Sequence, residues 1–136
     1  MAMSVLSGCE SEKNLETERS IQKNLFLQSI AMVEHAGSLL QNPAMTQSDI
    51  DSAMREMDKG LSQAFQVNDQ FLVQLDSRLP KFYTQIFIQG VELYRLGVEG
   101  ADKQKQLEGL NKLNQWGQYW LKLKPEVYQR LQVSNG

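Results

Sequence analysis

Cysteine and histidine each occur only once in this chain of 136 residues, as Cys9 and His35. A single cysteine excludes an internal disulfide. One cysteine and one histidine cannot supply the ligand sets of standard zinc or haem sites within one chain. A catalytic triad that needs a histidine would have to use His35, which we interpret instead as a surface or core-margin residue of a helix.

Long apolar runs and excess charge are also scarce. No run of apolar residues reaches the roughly 18 that a transmembrane helix needs. The net charge is only −2 and the pI is near 5.4, which argues against binding to nucleic acid through bulk charge. We therefore expect no nucleic-acid partner.

The acidic residues do not form a metal or catalytic motif. Asp49 and Asp51 could open a calcium-binding loop, but such a loop needs glycine at its sixth position, where Met54 stands. There is no glycine-rich phosphate loop, and one histidine cannot complete a di-metal carboxylate bundle. We expect a protein that is not an enzyme and that uses no metal or cofactor.

Helix-forming residues dominate what remains, because Leu, Gln, Glu, Lys and Ala outnumber Val, Ile and Thr. The sequence predicts an all-α fold, a bundle of about four helices with a short C-terminal turn. The predicted helices span 12–41, 47–77, 80–98 and 101–123. Proline or glycine marks each boundary, at Pro43, Pro80, Gly97, Gly100 and Pro125.

The spacing of apolar residues assigns a buried face to the first two helices. In the first helix this face is predicted to contain Ile21, Leu25, Met32, Ala36 and Leu39. The second helix is predicted to open with a capping box, formed by Thr46 and Asp49 or by Ser48 and Asp51. Its near-heptad apolar seam consists of Ile50, Met54, Met57, Leu61, Ala64, Phe71 and Leu75.

Two positions of the second helix test this register. Leu61 is predicted to be core, whereas Gln63 lies on the opposite, hydrated face. Asn68 falls on the apolar seam and leaves two interpretations open. It is either a polar core residue that fixes register or an edge residue that reaches solvent.

The N-terminal residues carry the most specific motif of the chain. Leu6, Ser7, Gly8 and Cys9 form a run that resembles a lipobox, the end of a bacterial lipoprotein signal peptide. The resemblance implies that residues 1–8 are the remnant of that signal. It also implies that the Cys9 thiol carries a diacylglyceryl group and that the new amino terminus is acylated with a fatty acid such as palmitate.

This resemblance also divides the chain and implies a location. Residues 9–19 become a polar, lipid-attached tether, and residues 20–136 a single helical domain. The membrane is then a partner through lipidated Cys9, and the domain faces the periplasm of the cell envelope. In such proteins an aspartate directly after the cysteine tends to retain them at the inner membrane. Glu10 stands here instead, which favours the outer membrane.

The C-terminal third contains an unusually aromatic stretch. Trp116 and Trp120 lie one helical turn apart on one face, with Tyr119 beside them and Lys122 and Lys124 following. Three interpretations are open: core filling, a protein-binding patch with a lysine rim, or contact with a bilayer surface. Any surface that binds a partner is predicted to include these five residues.

The function that these observations favour is a non-catalytic binding or assembly factor of the bacterial envelope with a protein partner. One alternative is a cytosolic helical module for protein interaction. Another is a bundle that holds an apolar ligand between its helices, with Met32, Met54 and Met57 lining the pocket.

Overall fold

A computed structural model describes the backbone of residues 2–132 and the side chains of residues 14–132. The described residues form helices and turns without β-strands, which confirms the all-α prediction. The elements are α1 (Ala2–Leu40), α2 (Gln47–Ala64), α3 (Asp69–Leu75), α4 (Leu79–Phe82), a π-helical segment (Tyr83–Ile88), α5 (Gln89–Glu99) and α6 (Lys103–Leu131). The stretch from α4 through the π-helical segment to α5 is continuous and matches the predicted third helix within one residue at each end.

Two helical hairpins make up the bundle. α1 packs along α2, and α5 packs along α6, while the short helices α3 and α4 connect the two hairpins. Each hairpin contributes one long helix, α1 or α6, to the space between them. The candidate site described below lies in that space.

The start of α2 agrees with the predicted capping box. The Asp49 backbone N–H donates to the Thr46 hydroxyl at 3.2 Å. In return, the Thr46 backbone N–H donates to the Asp49 carboxylate at 2.9 Å. These two bonds satisfy backbone donors that an uncapped helix would leave unpaired.

The prediction of one helix over 47–77 is wrong, because the chain turns between α2 and α3. Asn68 caps α3 by accepting a hydrogen bond from the Phe71 backbone N–H at 2.8 Å. Gln22 of α1 holds the turn from the other side: its amide donates to the Gln66 carbonyl and accepts from the Asn68 backbone N–H. Asn68 is exposed, so it is not a polar core residue.

The prediction that the last helix ends at residue 123 is also wrong. α6 continues through Pro125 to Leu131, so the residues expected to form a separate turn belong to it. Proline removes the hydrogen bond to the carbonyl four residues earlier, that of Leu121. The Leu121 side chain is 75% exposed, so water can reach this part of the helix. Val127 and Leu131 are buried beyond the proline and hold the last turns against the core.

The buried face of α1 differs from the predicted one. Ile21 is 53% exposed, whereas Phe26, Ile30 and Val33 are buried. Ala36 is the one residue of the predicted set that is fully buried. In α2 the register is correct, because Leu61 is buried. Gln63 is only half-buried and donates to Gln28 across the helix pair.

Aromatic rings fill the core where the hairpins meet. Phe26 of α1 lies at its centre, 5.3 Å from Tyr83, 5.5 Å from Trp120 and 6.1 Å from Phe71 between ring centroids. Edge-to-face and tilted rings at these distances attract each other beyond their apolar burial. We call these four residues the ring cluster.

Candidate functional site

A cleft of about 470 Å³ lies between α1 and α6, beside the ring cluster. Its walls come from the C-terminal half of α1 and the middle of α6, with further side chains from α2, the π-helical segment and α5. The residues that line it are Val33, Glu34, Gly37, Ser38, Leu40, Gln41, Met57, Phe87, Tyr94, Leu110, Leu113, Asn114, Trp116 and Gly117. Clefts of this size and mainly apolar lining are typical of small-molecule sites.

Two helical glycines keep the cleft open. A Cβ atom at Gly37 on α1 or at Gly117 on α6 would meet no other atom within 4 Å. Glycine is unfavourable inside helices, by roughly 0.5–1 kcal/mol relative to alanine. At these two positions no close approach of neighbouring atoms requires it. The space that side chains would occupy is therefore part of the cleft.

The π-helical segment supplies a ring that separates the cleft from the core. Phe87 lines the cleft and stacks on Tyr83 behind it, with ring centroids 5.1 Å apart. The Tyr83 hydroxyl forms a 2.6 Å hydrogen bond with the Ser29 hydroxyl, and both residues are buried. Burial raises the pKa of Tyr83 well above its ordinary value, so the phenol stays neutral. Single turns of π-helix inside α-helices are frequent at functional sites.

Trp116 connects the cleft to the ring cluster. It is buried, lines the cleft, and lies 5.1 Å from Phe87 and 5.7 Å from Trp120 between ring centroids. Its indole Nε1–H is buried and has no hydrogen-bond acceptor among the described residues. A buried donor without a partner costs roughly 1–3 kcal/mol, so it is an unusual feature of a folded protein.

The five residues of the predicted aromatic patch differ in how far they are buried. Trp116 and Trp120 are 3% and 4% exposed, which confirms the core interpretation for both. Tyr119 is half-buried, and Lys122 is exposed. The Lys124 ammonium lies 5.2 Å from the Tyr128 ring centroid. The two tryptophans therefore offer no exposed surface to a partner, contrary to the expectation of a continuous patch.

Tyr119 belongs to a small polar cluster at the start of α4. Its ring packs on Phe82 at 4.3 Å, and its hydroxyl donates to the Asp76 carboxylate at 3.5 Å. Hydrogen bonds from Arg78 hold the pKa of Asp76 below its ordinary value. Burial raises the pKa of Tyr119 to about 12, and the Asp76 carboxylate adds to the shift.

His35 lies on the surface, as the sequence predicts. Its ring nitrogen Nδ1 is 2.6 Å from the Glu56 carboxylate, and its side chain is 63% exposed. Within the described part of the chain, no three His, Cys, Asp or Glu side chains lie together as metal ligands would. Of the three methionines considered as pocket residues, Met57 lines the cleft, whereas Met32 and Met54 do not.

The lipobox-like residues lie on the N-terminal part of α1. The Cys9 backbone is helical, but its side chain is outside the described residues. None of the helices described here is long and apolar enough to cross a bilayer. Comparison with protein-family models, with curated proteins and with solved structures gives no match.

Proposed function

We propose that this protein is a lipoprotein of the bacterial envelope, anchored through Cys9, whose helical domain is a non-catalytic binding or assembly factor. The observation that carries the proposal is the run Leu6-Ser7-Gly8-Cys9, which ends in the chain's single cysteine. The domain then faces the periplasm, at the outer membrane rather than the inner because Glu10 follows the cysteine. Two or more acyl chains on one residue give stable anchoring, since each buried methylene contributes about 0.8 kcal/mol.

The course of α1 supports an anchor that stands away from the domain. Arg19 is the first residue along the described side chains of α1 that hydrogen-bonds another helix of the domain, through its guanidinium to the Arg130 carbonyl, 10 residues after Cys9. At 1.5 Å per residue, the helix between them is about 15 Å long. We call residues 9–18 the stalk. A helical stalk of this length would hold the domain clear of the lipid headgroups, where it can bind another protein.

The exposed side of the C-terminal part of α6 is the partner-binding surface in this proposal. Leu121 is 75% exposed, next to exposed Lys122 and one turn from Gln118. A large apolar side chain within a polar rim is the arrangement that protein interfaces use. Tyr119 and Lys124 would lie at the edge of this surface, and Trp116 and Trp120 would support it from below.

Acyl labelling in a bacterial host tests the anchor. The wild-type gene should incorporate labelled palmitate and fractionate with membranes, whereas Cys9→Ser should do neither. The matched control is the double variant Cys9→Ser, Ser11→Cys, which keeps one thiol but moves it out of the lipobox. If the control is labelled as strongly as wild type, the motif is not what directs acylation.

A wild-type protein that takes up no label and remains in the cytosolic fraction would contradict the proposal. That result would favour the cytosolic interaction module instead. The partner surface has its own test, with a photocrosslinking amino acid placed at Leu121 or, as control, at exposed Gln104. A discrete cross-linked partner from position 121 alone supports this surface, and equal products from both positions contradict it.

A further inference from the structure

We propose that this protein forms a symmetric dimer, in which α6 of one copy pairs side by side and parallel with α6 of a second copy. The inference deepens the proposed function, because it names a partner for the surface around Leu121, and it rests on that function for the direction of the pairing. The observations behind it are the spacing of exposed leucines on α6, the charges that bound them, and the course of α1.

Three exposed leucines lie on one line along α6. Leu107, Leu110 and Leu121 are 57%, 42% and 75% exposed. Asn114 and Gly117 lie between them and are also exposed. Steps of three and four residues separate successive members, which is the spacing of positions a and d in a coiled coil. Exposed leucines that are aligned in this way, unlike leucines scattered singly, indicate an interaction surface. We call these five residues the α6 stripe.

Lysines bound the stripe at both ends. Lys103 and Lys124 continue the same spacing, at the d positions next to Leu107 and Leu121, and the stripe between them carries no charged residue. The exposed residues that flank it on its solvent side are also uncharged: Gln104, Asn111 and Gln118. A symmetric parallel pair places each residue opposite itself, so any charge on the stripe would repel its own counterpart. An uncharged stripe between two lysines therefore suits a second copy of the chain better than a charged partner.

Asn114 and Gly117 fit the centre of such a pair. Asn114 meets the same residue of the second copy, and a single asparagine at an a position fixes register and oligomeric state. The two side-chain amides can donate to and accept from each other. At Gly117, a Cβ atom would meet nothing within 4 Å, so no neighbouring atom of one copy lies close to this position. Glycine opposite glycine lets the two helix backbones approach closely.

The course of α1 selects the parallel orientation. Arg19 of α1 donates to the Arg130 carbonyl near the end of α6 at 3.1 Å, whereas Gly37 of α1 lines the cleft together with Gly117 of α6. α1 therefore runs opposite to α6, and the stalk leaves the domain at the C-terminal end of α6. In a parallel pair both stalks point the same way, so both Cys9 anchors reach one membrane. An antiparallel pair would send them in opposite directions.

Sedimentation of the purified protein tests the dimer directly. The full chain carrying Cys9→Ser, which removes acylation, should change from monomer to dimer with a dissociation constant of about 1–100 μM. Asn114→Lys introduces a like-charge pair into the stripe and should weaken the dimer at least about ten-fold. The matched control, Gln115→Lys, adds the same charge at an exposed position off the stripe and should associate like the parent chain.

Disulfide cross-linking tests the orientation. Leu107→Cys or Leu121→Cys, each in the Cys9→Ser chain, should form a disulfide-linked dimer under mild oxidation, because each residue meets its own counterpart. Gln115→Cys, off the stripe, should not. In an antiparallel pair, the two copies of either leucine position lie at opposite ends of the contact. Absence of self-cross-linking at both positions would therefore overturn the parallel pairing.

Three further results would overturn the dimer. The first is a purified chain that stays monomeric up to about 200 μM. The second is equal weakening by Asn114→Lys and Gln115→Lys, and the third is cross-linking of Gln115→Cys as fast as that of Leu107→Cys. Failure of the proposed anchor looks different, because a wild-type chain without acyl label leaves the sedimentation of the Cys9→Ser chain unchanged. A different protein trapped at Leu121 in cells, with a monomeric purified chain, keeps the surface and refutes the dimer.

Discussion

The two ends of the space between α1 and α6 are built in opposite ways. At one end, Phe26 of α1 and Trp120 of α6 meet ring to ring, 5.5 Å apart. At the other, Gly37 and Gly117 leave the helices without side chains, and the cleft lies between them. The space between α1 and α6 is therefore filled where large rings meet and open where both helices carry glycine.

Glycines on α6 show the same contrast within one helix. A Cβ atom at Gly109 would lie 2.5 Å from the Tyr94 backbone nitrogen of α5, so only glycine fits this crossing. At Gly117, eight residues later, the same atom would meet nothing within 4 Å. Glycine at 109 thus permits close packing of α5 against α6, whereas glycine at 117 leaves open space in the cleft.

The largest loss of stability is expected for a substitution at the end of the α1–α6 space that aromatic rings fill. Trp120→Ala should lower the free energy of unfolding by about 3–5 kcal/mol, because it removes a buried ring that Phe26 and Trp116 contact. Leu110→Ala, on the wall of the cleft and 42% exposed, should cost less than about 1 kcal/mol. Urea denaturation measures both. Equal costs would mean that the two ends do not differ in packing.

The second-largest loss of stability is expected where α5 and α6 cross. Gly109→Ala should destabilise the protein by about 1–3 kcal/mol, since the added methyl group meets backbone atoms that cannot rotate away. The thermal midpoint followed by circular dichroism should fall accordingly. An unchanged midpoint would show that α5 and α6 can separate without cost.

Gly117→Ala, unlike Gly109→Ala, is expected to stabilise the protein. The added methyl group meets no atom, so the gain in helix propensity should raise the free energy of unfolding by about 0.5–1 kcal/mol. The same denaturation experiment measures it, with Gly109→Ala as the matched comparison. Destabilisation at 117 would mean that the cleft is narrower in solution than described here.

The smallest effect is a pH dependence at Asp76, beside the ring-filled end. Its pKa is lower in the folded protein, chiefly through hydrogen bonds from Arg78, so its contribution is present above the ordinary aspartate pKa. The contribution is lost as the pH falls below about 4 towards the folded value. When the thermal midpoint is measured against pH, Asp76→Asn should reduce its fall at acid pH. An identical fall in the variant would assign the lost stability to other carboxylates.

Tyr119 gives the alkaline counterpart of this dependence. Its pKa is raised to about 12 in the folded protein, so its contribution is complete below the ordinary tyrosine pKa of about 10 and is lost as the pH rises towards 12. Tyr119→Phe should remove this loss above pH 10. The cluster therefore contributes most between these two limits.

Local chemistry made much of the fold predictable. The Thr46–Asp49 capping box follows from residue types that satisfy a helix start, and the end of α5 follows from Gly100 at its C-cap. Tertiary context decided the rest. Pro125 stays inside α6 because buried residues lie beyond it, and α1 turns Phe26 rather than Ile21 inwards because rings from three other elements meet there.

The cleft was not predictable in the same way. Gly37 and Gly117 stand within predicted helices and were the available signal, because nothing local requires glycine there. Sequence alone cannot tell a glycine that faces a void from one that faces a backbone, as Gly117 and Gly109 illustrate. Tryptophan burial was among the interpretations left open, but the unpartnered indole N–H depends on neighbours brought together only by folding.

The π-helical segment has a consequence for how the chain tolerates insertions and deletions. Its wider turn accommodates one residue more than an α-helix would, and each residue of an α-helix corresponds to a rotation of about 100°. Regular α-helical geometry over Tyr83–Ile88 with the same number of residues would therefore rotate all of α5 by about that angle. Gly90, where a Cβ atom would lie 3.1 Å from Leu113, would then turn away from α6. Removing one residue and restoring α-helical geometry would instead leave α5 facing α6, so the alignment of the second hairpin depends on the wide turn that absorbs the extra residue.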